Sequence, residues 1–314
     1  MVNLDPNSIN LLKDGLPAFG EITKESPPNQ YIESYLAHYS LPTPNTELGF
    51  SYGTITANLQ SVFTAAWQPQ SHVGTAIIVH GYLDNLGLFS HLIKYLIRQK
   101  MAVVCFDLPG LGLSDGERAF INDFSDYTLA LDAVLTLCHH RFPGPLHGIG
   151  QSTGGAILIK HLINSAPNKA YPFTSLNLLA PLLHPKGWWF NRHLIPFVKP
   201  FRRSLKRHFS YSSHDEEFLA FLREKDFFQP KTMPMPWFEA AEKWAREFEA
   251  CSGSDFPVNI IQGTTDKTLD WQYNLKTFGG KFSNMRVQMI ENANHHMANE
   301  IEPIRNKIFK AIKF

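Results

Sequence analysis

Cysteine is scarce in this sequence: Cys105, Cys138 and Cys251 are the full set, widely separated and without a C-x-x-C pair. An odd, scattered set excludes a disulfide framework and a thiolate zinc site, and the apolar runs AVVCF and VLTLC around the first two predict buried, reduced thiols. Charge of one sign is also missing, because Lys and Arg total 29 against 28 Asp and Glu. No global field therefore marks a nucleic-acid partner, and any electrostatic message must be local. No run of about 18 apolar residues occurs, which argues against a membrane-spanning helix. The opening MVNLDPNSIN has neither a basic nor an apolar signal region, so the expectation is a cytoplasmic protein, at most peripheral to a membrane. Fourteen histidines show no H-E-x-x-H or related spacing, so no metal is expected. Repeats and low-complexity tracts are absent. With 44% hydrophobic and 18% charged residues, the chain belongs with folded rather than disordered proteins.

What is present is a change of rhythm. Residues 1–46 are loosely patterned and broken by prolines; 47–57 and 61–69 then read as an antiparallel hairpin. From residue 75, short strands that are apolar throughout (75–80, 102–110, 145–152, 175–183) alternate with helical patterns (88–100, 126–142, 153–165). That alternation indicates a mostly parallel sheet covered by helices on both faces, an α/β fold. The rhythm stops over 186–251, then resumes with strands at 256–263 and 284–292 and helices near 270–278 and 297–312. The predicted organisation is one core domain, 1–185 plus 252–314, with 186–251 inserted between two strands of its sheet.

The chemistry concentrates where strand meets helix. Gly150-Gln151-Ser152-Thr153-Gly154 fits G-x-S-x-G between a predicted strand and a predicted helix. A sharp turn there projects a serine hydroxyl above the sheet, and the Thr153 N–H, at a helix N-terminus, is aimed at developing negative charge. The loop after His80-Gly81 supplies a second donor, for which the Tyr82 N–H is the candidate; His80 itself is expected to brace that loop. A serine nucleophile needs an acid and then a histidine, in that chain order on such a sheet. Asp266 follows the strand ending NIIQG, with Asp270 as the alternative. After the last strand, His295 and His296 are adjacent, and chemistry alone does not separate them. No nucleotide cofactor is implied, because Gly110, Gly112 and Gly116 are mis-spaced for phosphate binding.

Together HGYLDNLGLFSHLIKYL (80–96), FDLPGLGLSDGER (106–118), GIGQSTGG (148–155), QGTTDKTLD (262–270) and NANHHMANE (292–300) resemble the monoglyceride lipase, lysophospholipase and serine-aminopeptidase-like branch of the α/β-hydrolase superfamily. The resemblance spans roughly 47–312, excluding most of the insertion. It implies an α/β-hydrolase fold with a helical lid at 186–251 and no cofactor. Its G-H-x-x-x-N-E pattern selects His295, the histidine that stands at the right distance from Asn299-Glu300. Three departures, Gln151 and Thr153 beside the serine and Asn294 before the histidine, leave the mechanism intact but make the substrate less transferable.

The resemblance implies a serine esterase acting on a lipid-like ester, with Ser152 as nucleophile, His295 as base and Asp266 orienting it. An aminopeptidase using the same triad and a silent binding protein are the alternatives. The insertion holds Trp188, Trp189, Trp237 and Trp244, four of six tryptophans, and ten of 24 phenylalanines, which suits an acyl chain or packs the lid down. Gln151, Trp188 and Trp189 are the expected lining residues. Within it, 199–209 (KPFRRSLKRHF) carries five Lys and Arg without an acid, suiting an anionic membrane or a phosphate headgroup, or else a solvated helix face paired with nearby acids.

Overall fold

The computed structural model describes residues 4–21, 29–165, 170–190, 192, 197 and 200–314. Four six-residue strands are covered on both faces: β4 (Gly74–Val79), β5 (Met101–Phe106) and β10 (Val258–Gly263) are buried at every position, and β6 (Leu146–Gln151) at all but its first. Together with β7 (Ser175–Leu179) and the edge strand β11 (Met285–Ile290) they form a parallel array. Such strands survive only with helices on both sides. Among the described residues the sheet has nine strands, in the order β1 (Gly20–Glu21), β2 (Leu48–Ala57), β3 (Gln60–Pro69), β5, β4, β6, β7, β10 and β11.

The antiparallel side is the expected hairpin, β2 (Leu48–Ala57) with β3 (Gln60–Pro69), the latter also pairing with β5. Its two-residue turn puts Asn58 at φ 44° and Leu59 at φ 66°, both left-handed. That geometry matches the strand twist but penalises a leucine.

The described parts of 1–46 hold more regular structure than their pattern suggested. They form α1 (Pro6–Asp14), β1 (Gly20–Glu21) and α2 (Gln30–His38), and β1 extends the sheet beside β2. Each helix is only nine residues long and is started by a side-chain cap, Asp5 to the Ser8 N–H and Asn29 to the Tyr31 N–H. Ile32, Tyr35 and Leu36 join the main core; 1–3 and 22–28 lie outside the described residues.

On the main domain, α3 (Ser90–Arg98), α4 (Phe124–Arg141), α5 (Thr153–Ile163), α8 (Trp271–Gly279) and α9 (Glu302–Lys310) flank the sheet. The insertion runs between β7 and β10, which are sheet neighbours. Its described part contains α6 (Glu216–Glu224) and α7 (Met235–Ala250). It is not wholly helical as expected: β8 (Ser204–Lys206) pairs with β9 (Thr232–Pro234), so the basic segment enters a two-stranded ribbon and does not form a helix face. Lys199 lies outside the described residues. Helix α7 is seated firmly, since Trp244 stacks on Phe124 at 6.1 Å and its Nε1–H donates to the Leu182 carbonyl at 3.1 Å. Phe248 packs edge-on against Phe278 at 5.2 Å. Much of the aromatic content therefore fastens the insertion to the domain.

Cys105 and Cys138 are buried free thiols, and burial pushes Cys138 up to about 12, while Cys251 is partly exposed. Among the described residues, no helix is long and apolar enough to cross a membrane.

Leu59 is 97% exposed and gains nothing from packing in its left-handed conformation. Leu59→Gly, which creates the Asn-Gly pair that this turn favours, should stabilise the protein by roughly 0.5–1 kcal/mol after the entropy cost of glycine. Thermal melting should show a rise of about 1–4 °C.

Candidate active site

The site is built at the ends of β4, β6 and β10, where the parallel strands hand over to loops. Ser152 sits between β6 and α5 at φ 53°, ψ −114°, a conformation that a non-glycine residue keeps only under constraint. The constraint is visible in its backbone: its N–H donates to the Leu179 carbonyl at 2.9 Å, and its carbonyl accepts from Ala156 at 3.1 Å and Leu182 at 3.0 Å. Gly154 is required by contact, because a Cβ there would lie 1.9 Å from the Val79 carbonyl oxygen at the end of β4.

His295, in the loop after β11, approaches the Ser152 Oγ through Nε2 at 3.0 Å and the Asp266 Oδ2 through Nδ1 at 2.8 Å. Asp266, in the loop after β10, is held on both oxygens: Oδ1 accepts from Thr268 at 2.8 Å and Leu269 at 3.1 Å, and Oδ2 also accepts from the Gln262 amide at 3.2 Å. Burial works to raise this carboxyl, but the charge of His295 and these hydrogen bonds outweigh it and hold Asp266 below its ordinary value. For His295 burial works to lower the imidazole, and Asp266, with a smaller contribution from Asp84, raises it above its ordinary value. The alternatives sit elsewhere. Asp270 caps α8, accepting from the Tyr273 N–H at 3.4 Å. His296 faces Gln151 at 3.2 Å and Asp84 at 3.4 Å.

The loop after β4 lies against the serine: a Cβ on Gly81 would be 3.5 Å from the Ser152 Cβ. Among the described residues, neither the Tyr82 nor the Thr153 N–H has an acceptor, and both residues line the cavity that holds Ser152 and His295. Tyr82 is clamped at both ends, its hydroxyl donating to the Ala119 carbonyl at 2.8 Å and its ring stacked on Trp237 of α7 at 3.8 Å. His80 braces this loop. Its Nε2 accepts from the Leu108 N–H at 2.9 Å, which leaves Nδ1–H to donate to the Gly81 carbonyl at 2.7 Å, and burial keeps the ring below its ordinary value and neutral. The FDLPGLGLSDGER segment (106–118) anchors the same region, since Asp107 accepts from the Leu86 N–H at 2.7 Å and the Leu113 N–H at 2.8 Å.

The cavity encloses about 280 Å³. Gln151 lines it, with its Oε1 accepting from the Ala298 N–H at 3.0 Å. Trp188 and Trp189 do not line it, which corrects that expectation. Lys186 is tied to the Thr268 carbonyl at 2.8 Å, Trp188 stacks on His184 at 5.1 Å, and Trp189 meets Tyr273 at 5.7 Å, on the side facing α8. Aromatic content alone does not say which way a side chain faces. The apolar wall is instead Trp237, Phe238, Leu219, Leu222 and Met233, with Arg207 and Arg223 beside it. Two polar residues to which the sequence assigned no role in the site complete the surroundings. Asp84 lines the cavity beside His296, and buried Glu300 accepts from the Asn294 N–H at 2.6 Å and the His214 N–H at 3.0 Å, pinning the His295 loop. Glu300 was in the N-E pair of the matched motif, which was the signal available. Among the described residues no group of three or more His, Cys, Asp or Glu is arranged to hold a metal ion.

A family model described as serine aminopeptidase, S33, matches residues 70–302. The monoglyceride lipase of Rattus norvegicus is 30% identical over 131 residues, 41% of this chain and 42% of that protein. The alignment thus spans less than half of that relative's length. A phospholipase of Bacillus subtilis is 23% identical over 271 residues, 79% of this chain and 96% of its own. Among solved structures, a soluble variant of monoglyceride lipase from Saccharomyces cerevisiae in complex with a substrate analogue superposes with TM-score 0.70 at 16% identity, covering 86% of this chain and 96% of that one. That likeness shows the α/β-hydrolase fold.

The opposing influences on His295 are separable. Asp266→Asn removes the charge that lifts the imidazole while leaving its burial, so His295 should titrate at lower pH than in the parent protein. The imidazole resonances followed by NMR against pH test this; an unchanged titration would contradict the assignment of Asp266 as the cause.

Proposed function

Because the chain belongs to the serine aminopeptidase S33 family of hydrolases, we propose that it hydrolyses a carboxylic ester of a lipid-like substrate through an acyl-enzyme on Ser152. The observation that carries this reading is the continuous chain from the Ser152 Oγ to His295 to Asp266 beneath an apolar wall. In the first step His295 Nε2 takes the Ser152 proton as Oγ attacks the ester carbonyl, and the imidazolium returns it to the leaving alcohol. Asp266 keeps Nδ1 protonated and stabilises the imidazolium. The N–H groups of Tyr82 and Thr153 receive the oxyanion. Water then repeats the sequence against the acyl-enzyme. The insertion acts as a lid whose Trp237 and α6 leucines receive the acyl chain.

The relatives' names, monoglyceride lipase and phospholipase, support the ester class. Aminopeptidase activity with the same triad is less well supported. It needs a carboxylate free to hold a substrate ammonium, whereas Asp84 of the cavity wall faces His296 at 3.4 Å and feels the charge of Arg207. The outer side of the basic segment, with Phe201, Arg202, Arg203 and Lys206 exposed, supports peripheral contact with an anionic bilayer.

Ser152→Ala should lower kcat for p-nitrophenyl esters and monoacylglycerols by several orders of magnitude and abolish labelling by a fluorophosphonate probe. Retained turnover would overturn the nucleophile, and an unlabelled parent protein would favour a silent binding pocket. In the parent, kcat/KM should fall with acid as His295 becomes protonated. Because its value is raised, that fall should begin at higher pH than for an ordinary imidazole.

A further inference from the structure

The basic segment was the one strong sequence feature that the triad does not use, and its residues divide sharply in the fold. Arg202, Arg203 and Lys206 are exposed, whereas Arg207, at the end of β8, turns inward and lines the same cavity as Ser152. Its guanidinium lies over the Phe209 ring at 4.4 Å. Nη1 donates to the Gln229 Oε1, and among the described residues that neutral amide is its one side-chain acceptor. Gln229 is fixed in turn through its own Nε2–H to Asp226 at 2.5 Å, so the arginine is held in place before any ligand arrives.

No carboxylate lies within ion-pair distance of Arg207 among the described residues. Burial pushes it below the ordinary arginine value, opposed by the more distant Asp84 and Asp226. Asp84 is engaged by His296, and the Asp226 oxygens are taken up by Tyr39, Asn85, Gln229 and the Phe228 N–H. The wall therefore presents a rigid, incompletely neutralised guanidinium with N–H donors to spare, and Arg223 and His208 line the cavity with it. The guanidinium fork can pair with two oxygens of a tetrahedral phosphate, and a wall with a second guanidinium, that of Arg223, suits a multiply charged phosphate better than a single carboxylate.

We propose that Arg207 is a specificity-determining residue that binds a phosphate on the same molecule as the scissile ester, so that the substrate class is a monoacyl lipid with a phosphate-bearing headgroup, not a neutral monoacylglycerol. This rests on the reading of the cavity as an ester site. It also accounts for the cost of placing a cation in a largely apolar pocket, since an isolated acyl chain gains nothing from it. An aminoacyl substrate, with its ammonium, would be repelled by the same group.

The test uses the full chain and two ether-linked probes without a scissile ester, 1-O-hexylglycerol 3-phosphate and neutral 1-O-hexylglycerol, with binding followed by calorimetry. The parent protein should bind the phosphate probe at least tenfold more tightly. Arg207→Gln should reduce that preference by about ten- to a hundredfold, the range expected for one charge-assisted contact, and Arg207→Lys should keep part of it. Matched 1-acyl esters, lysophosphatidic acid against monoacylglycerol, should show the same loss of preference, expressed mainly in KM. Equal binding of both probes by the parent overturns the proposal, as does an Arg207→Gln variant that folds normally by thermal melting and keeps the preference. If the phosphate probe binds in an Arg207-dependent way while neither ester is cleaved, the phosphate site stands and the esterase reading falls.

Discussion

The geometry of the site depends on how closely helix α5 starts to the end of strand β4. With the Gly154 backbone against the Val79 carbonyl, the turn between β6 and α5 has no room for a relaxed serine, and Ser152 is driven to φ 53°. Such a residue costs on the order of 1–3 kcal/mol. The three backbone hydrogen bonds made by Ser152, to Leu179, Ala156 and Leu182, offset this at about 0.5–1.5 kcal/mol each. The strain is therefore sustained by the end of β7, the first turn of α5 and the loop after β7, at residues that do no chemistry. In return the hydroxyl stands clear of the strand ends, and the free N–H groups of α5 point at the space beside it.

Burial alone would leave His295 neutral and Asp266 protonated, which would be a pair of polar groups with no reason to act in concert. Their mutual contact reverses both tendencies, lifting the imidazole and lowering the carboxyl. The neighbouring His80 shows the other outcome. It is fully buried, but its Nε2 accepts from a backbone N–H and its Nδ1–H donates to a carbonyl, so burial prevails and the ring stays neutral. One residue type thus serves as proposed base and as structural brace, and the difference is whether a carboxylate or the backbone faces it at hydrogen-bond distance.

Much of this was legible in the sequence because the signals were local. The strands β4, β5, β6 and β10 announce themselves as short apolar runs, since burial on both faces leaves no alternation to read. Ser152 and Asp266 stand at the ends of such strands, where a turn motif and chain order suffice, and the Asn299-Glu300 spacing separates His295 from His296. The structure gives a physical reason for that spacing in Glu300, which bonds the Asn294 N–H and so fixes the loop. What was not legible is what depends on orientation. Trp188, Trp189 and Trp237 look alike in composition, yet Trp237 is stacked on Tyr82 over the cavity while the other two face His184 and Tyr273. The two N-terminal helices were missed because nine residues and a single cap give too weak a periodicity, with their stability coming from tertiary packing. The ribbon of β8 and β9 was missed because three-residue strands carry almost no pattern.

Those unread elements converge on one buried carboxylate. Asp226, in the insertion, accepts from the Tyr39 hydroxyl at the end of α2 at 2.7 Å, from the Asn85 amide after β4 at 3.2 Å, and from the Phe228 N–H at 3.0 Å. Through Gln229 it also holds Arg207. The N-terminal helices, the proposed oxyanion loop and the insertion are thus joined at a single point that no segment could build alone. An insertion fastened in this way is not a free flap over the serine. Asp226 and Trp237 fix its inner face against the loop that carries Tyr82, so any movement that admits a substrate must either spare these contacts or loosen the proposed oxyanion site with them.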